Sequence, residues 1–245
     1  MSNLFLFDVD GTLAESTQKI EDSNLKILHE LSKNNTICLI SGGTYPKLIS
    51  QIGKQNEHIF EYIFSENGLV TYQKGKLIEK NNIKDQLTEN EIQEVINICL
   101  DYIIKLKIPY KRGRFINFRN SMIYVSPTGS DVTLEERNNF ADYDQIHNIR
   151  KNMIQYLTNK FSKKFNLEIK LGGQIGIAIH PINWDKTFCL KFINLNKYQD
   201  VFFFGDRITP DGNDYSLYSQ ETIIGHGVKN PKHTFDILKQ LMKNI

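Results

Sequence analysis

The chain has 245 residues, a formal net charge of +2 and 40% hydrophobic residues, a balance that suits one large folded domain or two small ones and excludes a disordered chain. Its lysines and arginines are scattered among Asp and Glu, so no nucleic-acid surface is expected. No run of about 18 apolar residues occurs, so no membrane span is expected either.

Met1-Ser2-Asn3 leads straight into the apolar run Leu4 to Val9, without the basic stretch or cleavage site of a signal peptide. That run ends in acidic residues and Gly11, which predicts a buried strand with a functional loop at its C-terminal end. Residues 19–33 place Ile20, Leu25, Leu28 and Leu31 at helical spacing. Thr36 to Ile40 is a second strand, stopped by Ser41-Gly42-Gly43, and a helix follows around Pro46 to Ile52. Tyr62 to Phe64, Leu69 to Tyr72 and Lys76 to Ile78 read as further strands. Buried strands alternating with helices predict a parallel sheet covered on both faces.

The pattern changes at Thr88, which precedes Glu91 by the three residues of a capping box. Behind it Ile92, Val95, Ile96, Cys99, Leu100 and Ile103 recur at helical spacing. Arg114 to Ser126 alternates as one strand, Asp144 to Phe161 reads as a second helix, and Leu167 to His180 as two strands turning at Gly172-Gly173. This block predicts a small α+β module inserted into the first domain. The apolar strand Val201 to Phe204 resumes the parallel pattern and ends in Gly205-Asp206. The expected fold is therefore α/β, a Rossmann-like parallel-sheet core (1–82 and 185–245) carrying an inserted α+β cap (83–184). Cys38, Cys99 and Cys189, odd in number and each in apolar sequence, are expected to be buried reduced thiols of a cytoplasmic protein.

The chemistry centres on Asp8-Val9-Asp10-Gly11-Thr12. Side chains at the C-terminal end of a parallel strand face the crevice where ligands bind. Asp8 is placed to attack phosphorus, and Asp10 to protonate the leaving oxygen and later deprotonate an incoming hydroxyl. Ser41, Gly42 and Gly43 end the second strand with a hydroxyl and main-chain amides for phosphate oxygens. Lys186 can neutralise charge beside the nucleophile. Asp206, with Asp214 downstream, offers carboxylates to a hard cation such as Mg²⁺. Each element alone is weak, but the four in this order are not.

The ordered set resembles the haloacid dehalogenase superfamily, which implies a nucleophilic Asp8, an acid/base Asp10 and a Mg²⁺ site at Asp8, Asp10, Asp206 and Asp214. The likeness narrows further. Phe64-Ser65-Glu66-Asn67-Gly68, Lys111-Arg112-Gly113, Phe118-Arg119-Asn120, Val125-Ser126-Pro127, Glu135-Glu136-Arg137, Gly172-Gly173-Gln174-Ile175 and Trp184-Asp185-Lys186 resemble the eukaryotic-type phosphomannomutases over nearly the whole chain. The resemblance implies interconversion of mannose 6-phosphate and mannose 1-phosphate through an aspartyl-phosphate, with a hexose 1,6-bisphosphate as activator. It implies Arg119, Arg137, Asn120 and Gln174 as substrate contacts in the cap, and a homodimer joined through the cap. Four positions depart from the family pattern: Thr17 and Ser130 replace arginines, Gly176 replaces a serine and Ala178 an aspartate. Ser41-Gly42-Gly43 also stands where the family more often has Gly-Gly-Ser. Because the losses fall on recognition, a sugar-phosphate or nucleotide phosphatase on the same scaffold is the second reading. A non-catalytic sugar-phosphate-binding protein is the third, against which the retained Asp8, Asp10, Lys186 and Asp206 argue.

Overall fold

In the computed structural model, which describes residues 2–162 and 164–244, Leu4–Phe7 forms β1 with every side chain buried. The helix α1 (Asp22–Leu31), the strand β2 (Thr36–Ile40) and the helix α2 (Tyr45–Ile52) follow. Next come β3 (Tyr62–Ser65), β4 (Val70–Gln73) and β5 (Lys76–Lys80). The helix α3 (Glu89–Lys105) opens on the anticipated capping box of Thr88 and Glu91. It is followed by β6 (Ile116–Phe118), β7 (Ile123–Val125), α4 (Leu134–His147), α5 (Ile149–Phe161), β8 (Leu167–Gly172) and β9 (Gly176–Pro181). The chain ends with β10 (Val201–Gly205), α6 (Tyr215–Tyr218), β11 (Ile224–Gly227) and α7 (Pro231–Asn244).

The chain divides into two compact units, Met1–Lys80 with Asn183–Ile245, and Asn81–Ile182. In the first, seven strands run in the order β11-β10-β1-β2-β3-β4-β5. The five from β11 to β3 are parallel, and β4 and β5 add an antiparallel edge. Alternation along the strands feeds both faces. Phe5, Phe7, Ile37, Leu39, Phe202 and Phe204 pack with α1, α2 and α7, while Leu4, Leu6, Cys38, Ile40 and Phe203 pack with Leu217 and the 186–192 turn. The chain leaves β1 toward β2 on one side and later fills β10 on the other, so the topological switch point lies at the end of β1, where a crevice opens in such sheets. Asp8 stands there.

The second unit is a four-stranded antiparallel sheet, β6-β7-β9-β8, whose isoleucines and valines pack with α3 and α5. Two expectations are corrected here. The stretch 114–126 is a hairpin rather than one strand, because the chain turns between Arg119 and Met122 with the Arg119 N–H bonded to the Met122 carbonyl at 2.9 Å. The helix expected from Asp144 to Phe161 is two helices. Asn148, in the left-handed region at φ 52°, breaks them, and α4 begins at Leu134 behind a second capping box, Thr133 with Glu136. Cys38, Cys99 and Cys189 are buried thiols, and burial pushes Cys38 and Cys99 up to about 12. Among the described residues no helix is long and apolar enough to cross a membrane.

Candidate active site

After β1 the chain turns at once. The Val9 carbonyl accepts from the N–H groups of Thr12, Leu13 and Ala14 at 2.9–3.2 Å. Gly11 has φ +86°, and a Cβ there would stand 2.6 Å from Asp206 Oδ2. Only glycine lets the β1 loop approach the β10 loop this closely.

Lys186 is fully buried, a state almost never tolerated by an unpaired lysine. Asp185 accepts from the Thr187 N–H at 2.8 Å and begins the turn that drives Lys186 inward. Its Nζ donates to Asp8 Oδ1 and to Asp214 Oδ1, both at 2.5 Å, and to the Ile40 carbonyl at 3.4 Å. Asp214, also fully buried, takes the Arg207 N–H on its second oxygen at 2.9 Å and so closes the loop after β10. Carboxylate oxygens of Asp8, Asp206 and Asp214 lie within 4.8 Å of one another. Three carboxyl groups thus crowd around the Lys186 ammonium, with Arg207 Nε 3.5 Å from Asp206 as a second, partly exposed cation. Burial accordingly raises the Asp8 carboxyl, with Asp214 and Asp206 adding to it against the pull of Lys186, and pushes it up to about 8. Burial likewise raises Asp206, against Arg207 and with Asp214, up to about 6. The Lys186 ammonium is opposed by burial but held above its usual range by Asp214 and Asp8.

The donor set fits a hard dication. Asp206 Oδ1, Asn213 Oδ1 and Thr12 Oγ1 are buried oxygens without a hydrogen-bond partner, all of the atom type that Mg²⁺ prefers. Sequence reasoning grouped Asp10 with this cluster. Its carboxylate lies with Lys47, with Gln51 Nε2 at 2.9 Å and with the Thr17 N–H at 2.9 Å, outside the group of Asp8, Asp206 and Asp214. Burial raises the Asp10 carboxyl, but Lys47 and the bonds from Thr17 and Gln51 outweigh it and hold it below the usual range. Asp214 belongs to the cluster, yet its bonds to Lys186 and Arg207 make it the group that fixes the lysine.

Ser41, Gly42 and Gly43 form the loop after β2. The Gly43 N–H bonds to Ser41 Oγ at 3.1 Å, and the Asn67 N–H to the Ser41 carbonyl at 2.9 Å. A Cβ on Gly42 would stand 3.4 Å from Asn67 Oδ1 and 3.8 Å from Asn213 Nδ2. The sequence reading missed Lys47 and Gln51 as partners of Asp10, and Asn213 beside Gly42. Nothing local in the sequence signals these partners, since Lys47 and Gln51 lie 37 and 41 residues from Asp10.

In the second unit, Arg119 begins the β6–β7 turn with its guanidinium carbon 4.5 Å from the centre of the Tyr124 ring. The Asn120 carbonyl accepts from the Ile83 N–H at 2.6 Å. Arg137, half-buried, lies near the start of α4. Gln174 donates to Asn138 at 2.9 Å and keeps a buried oxygen without a partner. Ser130 accepts from Asn117 Nδ2 at 2.8 Å, and Arg114, at φ 42°, pairs with Asp131.

A parallel sheet with Asp8 at its switch point, Lys186 bridging it to Asp214, and an α+β insertion define a haloacid dehalogenase-like protein. The fold is shared with a haloacid dehalogenase-like hydrolase from Bacteroides thetaiotaomicron, at a TM-score of 0.57 and 15% identity over 98% of this chain and 100% of that one. Within that class the chain belongs to the eukaryotic phosphomannomutase family, whose model matches residues 24–244. It is 42% identical over 236 residues to the phosphomannomutase of Dendrobium officinale, covering 96% of this chain and 92% of that protein. It is 39% identical over 240 residues to phosphomannomutase 1 of Mus musculus, covering 97% of this chain and 91% of that protein.

Proposed function

We propose that the protein is a hexosephosphate mutase that interconverts mannose 6-phosphate and mannose 1-phosphate, with a hexose 1,6-bisphosphate as activator, and that it works as a homodimer. The observation that carries this reading is the Asp8–Lys186–Asp214 arrangement in a chain matched along its length by phosphomannomutases. Lys186 occupies Asp8 Oδ1, which leaves Oδ2 as the attacking atom. Its attack on phosphorus forms the aspartyl-phosphate and breaks the ester bond, and the leaving sugar oxygen takes a proton from Asp10. In the return step Asp10 takes the proton of the incoming hydroxyl, which attacks phosphorus and releases Asp8. Lys47 holds the Asp10 carboxyl low, which favours the ionised form that the return step requires; the proton Asp10 takes from the hydroxyl there is the one it gives to the leaving oxygen in the next transfer. Ser41, Gly42 and Gly43 bind the transferring phosphoryl oxygens. Arg119 and Arg137 grip the second phosphate, for which a planar fork of donors is suited, with Asn120 and Gln174 beside them.

Asp8, Asp206 and the Asp10 carbonyl would hold Mg²⁺, which when bound supplies positive charge to the phosphoryl oxygens. Asp10→Asn is expected to lower kcat about 10²–10⁴-fold, most with poor leaving groups, and equal loss across leaving groups would remove its acid role. Cation binding has a pH signature. Without the cation, Asp8 and Asp206 retain protons in the fold at pH values where the unfolded chain has lost them, so stability falls as pH rises through about 6 and about 8. Mg²⁺ must displace those protons, so it is expected to raise Tm more at pH 8 than at pH 5. Asp206→Asn is expected to abolish that difference. Equal shifts at both pH values would remove the site.

The decisive assay supplies mannose 1-phosphate, Mg²⁺ and a hexose 1,6-bisphosphate, and measures mannose 6-phosphate and free phosphate in parallel. Transfer in excess of hydrolysis supports the mutase. Free phosphate alone supports a phosphatase, the reading that Ser130, Gly176 and Ala178 favour by thinning the grip on the sugar.

A further inference from the structure

The sheet of the second unit has two unlike faces. Ile123, Val125, Ile169, Ile177 and Ile179 pack into the apolar core with α3 and α5. Alternation therefore places Asn117, Tyr124, Ala178 and Lys170, side by side in register across β6, β7, β9 and β8, on the other face. Tyr124 reaches from there onto the β8–β9 turn, and its hydroxyl donates to the Gly172 carbonyl at 3.1 Å. The ring lies on a bed of glycines. A Cβ at Gly176 would stand 2.4 Å from it, one at Gly172 3.1 Å, and one at Gly173 3.2 Å from its oxygen. Any side chain at Gly176 would expel the ring.

The bed is fixed from behind. Arg150 Nη1 donates to the Gly173 carbonyl at 3.1 Å and to the Gly176 carbonyl at 3.4 Å, while its Nε bonds to Asp144 at 2.7 Å. Arg150 and Asp144 are 11% and 8% exposed, so this pair is a fixed strut rather than a surface contact. Arg119 lies against the ring that this strut supports, at 4.5 Å. A guanidinium on an aromatic face is attracted by the ring's quadrupole and keeps its N–H groups directed outward in its own plane. Two parallel N–H groups are what a phosphate accepts.

We infer that Tyr124 is a positioning residue for Arg119, and that the glycine at 176 admits its ring. The inference rests on Arg119 being a phosphate grip. It gives a physical reason for Gly176, because a serine there and the Tyr124 ring exclude one another. The bland alternative is that Tyr124 only fills space, in which case its loss acts independently of Arg119.

A double-mutant cycle separates the two. The KM for mannose 1-phosphate and kcat are measured, with Tm, for Tyr124→Leu, Arg119→Ala and the pair. Tyr124→Leu is expected to raise KM roughly 3- to 30-fold, the range of a partly desolvated cation–ring contact, with kcat nearly unchanged. In the Arg119→Ala background it is expected to add nothing. Tyr124→Phe, which keeps the ring, is expected to recover most of the affinity. Gly176→Ala, which displaces the ring, serves where Tyr124→Leu fails to fold, and is expected to raise KM in the parent but not in the Arg119→Ala background. A Tyr124→Leu effect that is the same with and without Arg119 overturns the proposal. So does an unchanged KM in Tyr124→Leu when Arg119→Ala raises it. An Arg119→Ala protein with normal KM removes the phosphate grip itself, and the proposal with it.

Discussion

Asp8→Asn is expected to abolish turnover, by on the order of 10⁴-fold or more, while the protein stays folded and as stable as before. The two halves of this expectation come from the same contacts. An amide at position 8 keeps an oxygen for the Lys186 ammonium that now lies 2.5 Å away, so the fold loses no buried hydrogen bond. It also removes one of three crowded carboxylates, the one that burial already pushes up to about 8. What it cannot do is form an acyl phosphate, since an amide is not a nucleophile toward phosphorus. Brief incubation with a hexose bisphosphate labelled at phosphorus should leave a hydroxylamine-sensitive phosphoryl group on the parent chain and none on the variant. A folded variant that still turns over, or still takes the label, would sink the assignment of Asp8 as nucleophile.

Much of this site is legible in the order of residues, for a specific reason. Asp8 and Asp206 each follow directly on a fully apolar run, and the end of a buried parallel strand is where a polar residue meets the crevice. The capping box of Thr88 and Glu91 is local and survives into the fold unchanged. What escapes is non-local or weakly patterned. Lys47 and Gln51 meet Asp10 across 37 and 41 residues, a pairing that no local rule contains. The helix α4 buries only Phe140 and Asp144, so it carries almost no apolar stripe, although its capping box at Thr133 was there to be read. The hairpin of β6 and β7 hides because its turn, Arg119 to Met122, lacks glycine and proline and continues the alternation. The role of Asp214 is the most instructive case. Its position after β10 suggests a group that completes or orients a cation site, and its carboxylate does stand with Asp8 and Asp206; that it also holds Lys186 and the Arg207 N–H is a division of labour visible only once both loops are in place.

That division makes Lys186→Met the second large effect, and one of opposite character to Asp8→Asn. Met matches the stem of the lysine and fills the fully buried space, so packing is nearly conserved. The ammonium it removes bridges Asp8 Oδ1 and Asp214 Oδ1. Asp214, which is 0% exposed, is left with only the Arg207 N–H, and the cluster with three carboxylates and no buried cation. Breaking a buried ion pair by deleting one partner costs roughly 3–5 kcal/mol, which for a chain of this size lowers Tm by roughly 6–20 °C. Activity is expected to fall as well, because Asp8 is no longer held. The two losses are separable by a companion change. Adding Asp214→Asn to Lys186→Met removes the stranded carboxylate and is expected to restore much of the Tm but none of the turnover. Without Mg²⁺ the Lys186→Met protein is expected to be less stable at pH 8 than at pH 5, where protons can stand in for the missing ammonium. A Lys186→Met protein with the parent's Tm would mean that Lys186 is not the counter-charge of Asp214. A double variant that regained turnover would mean that Lys186 acts on stability alone.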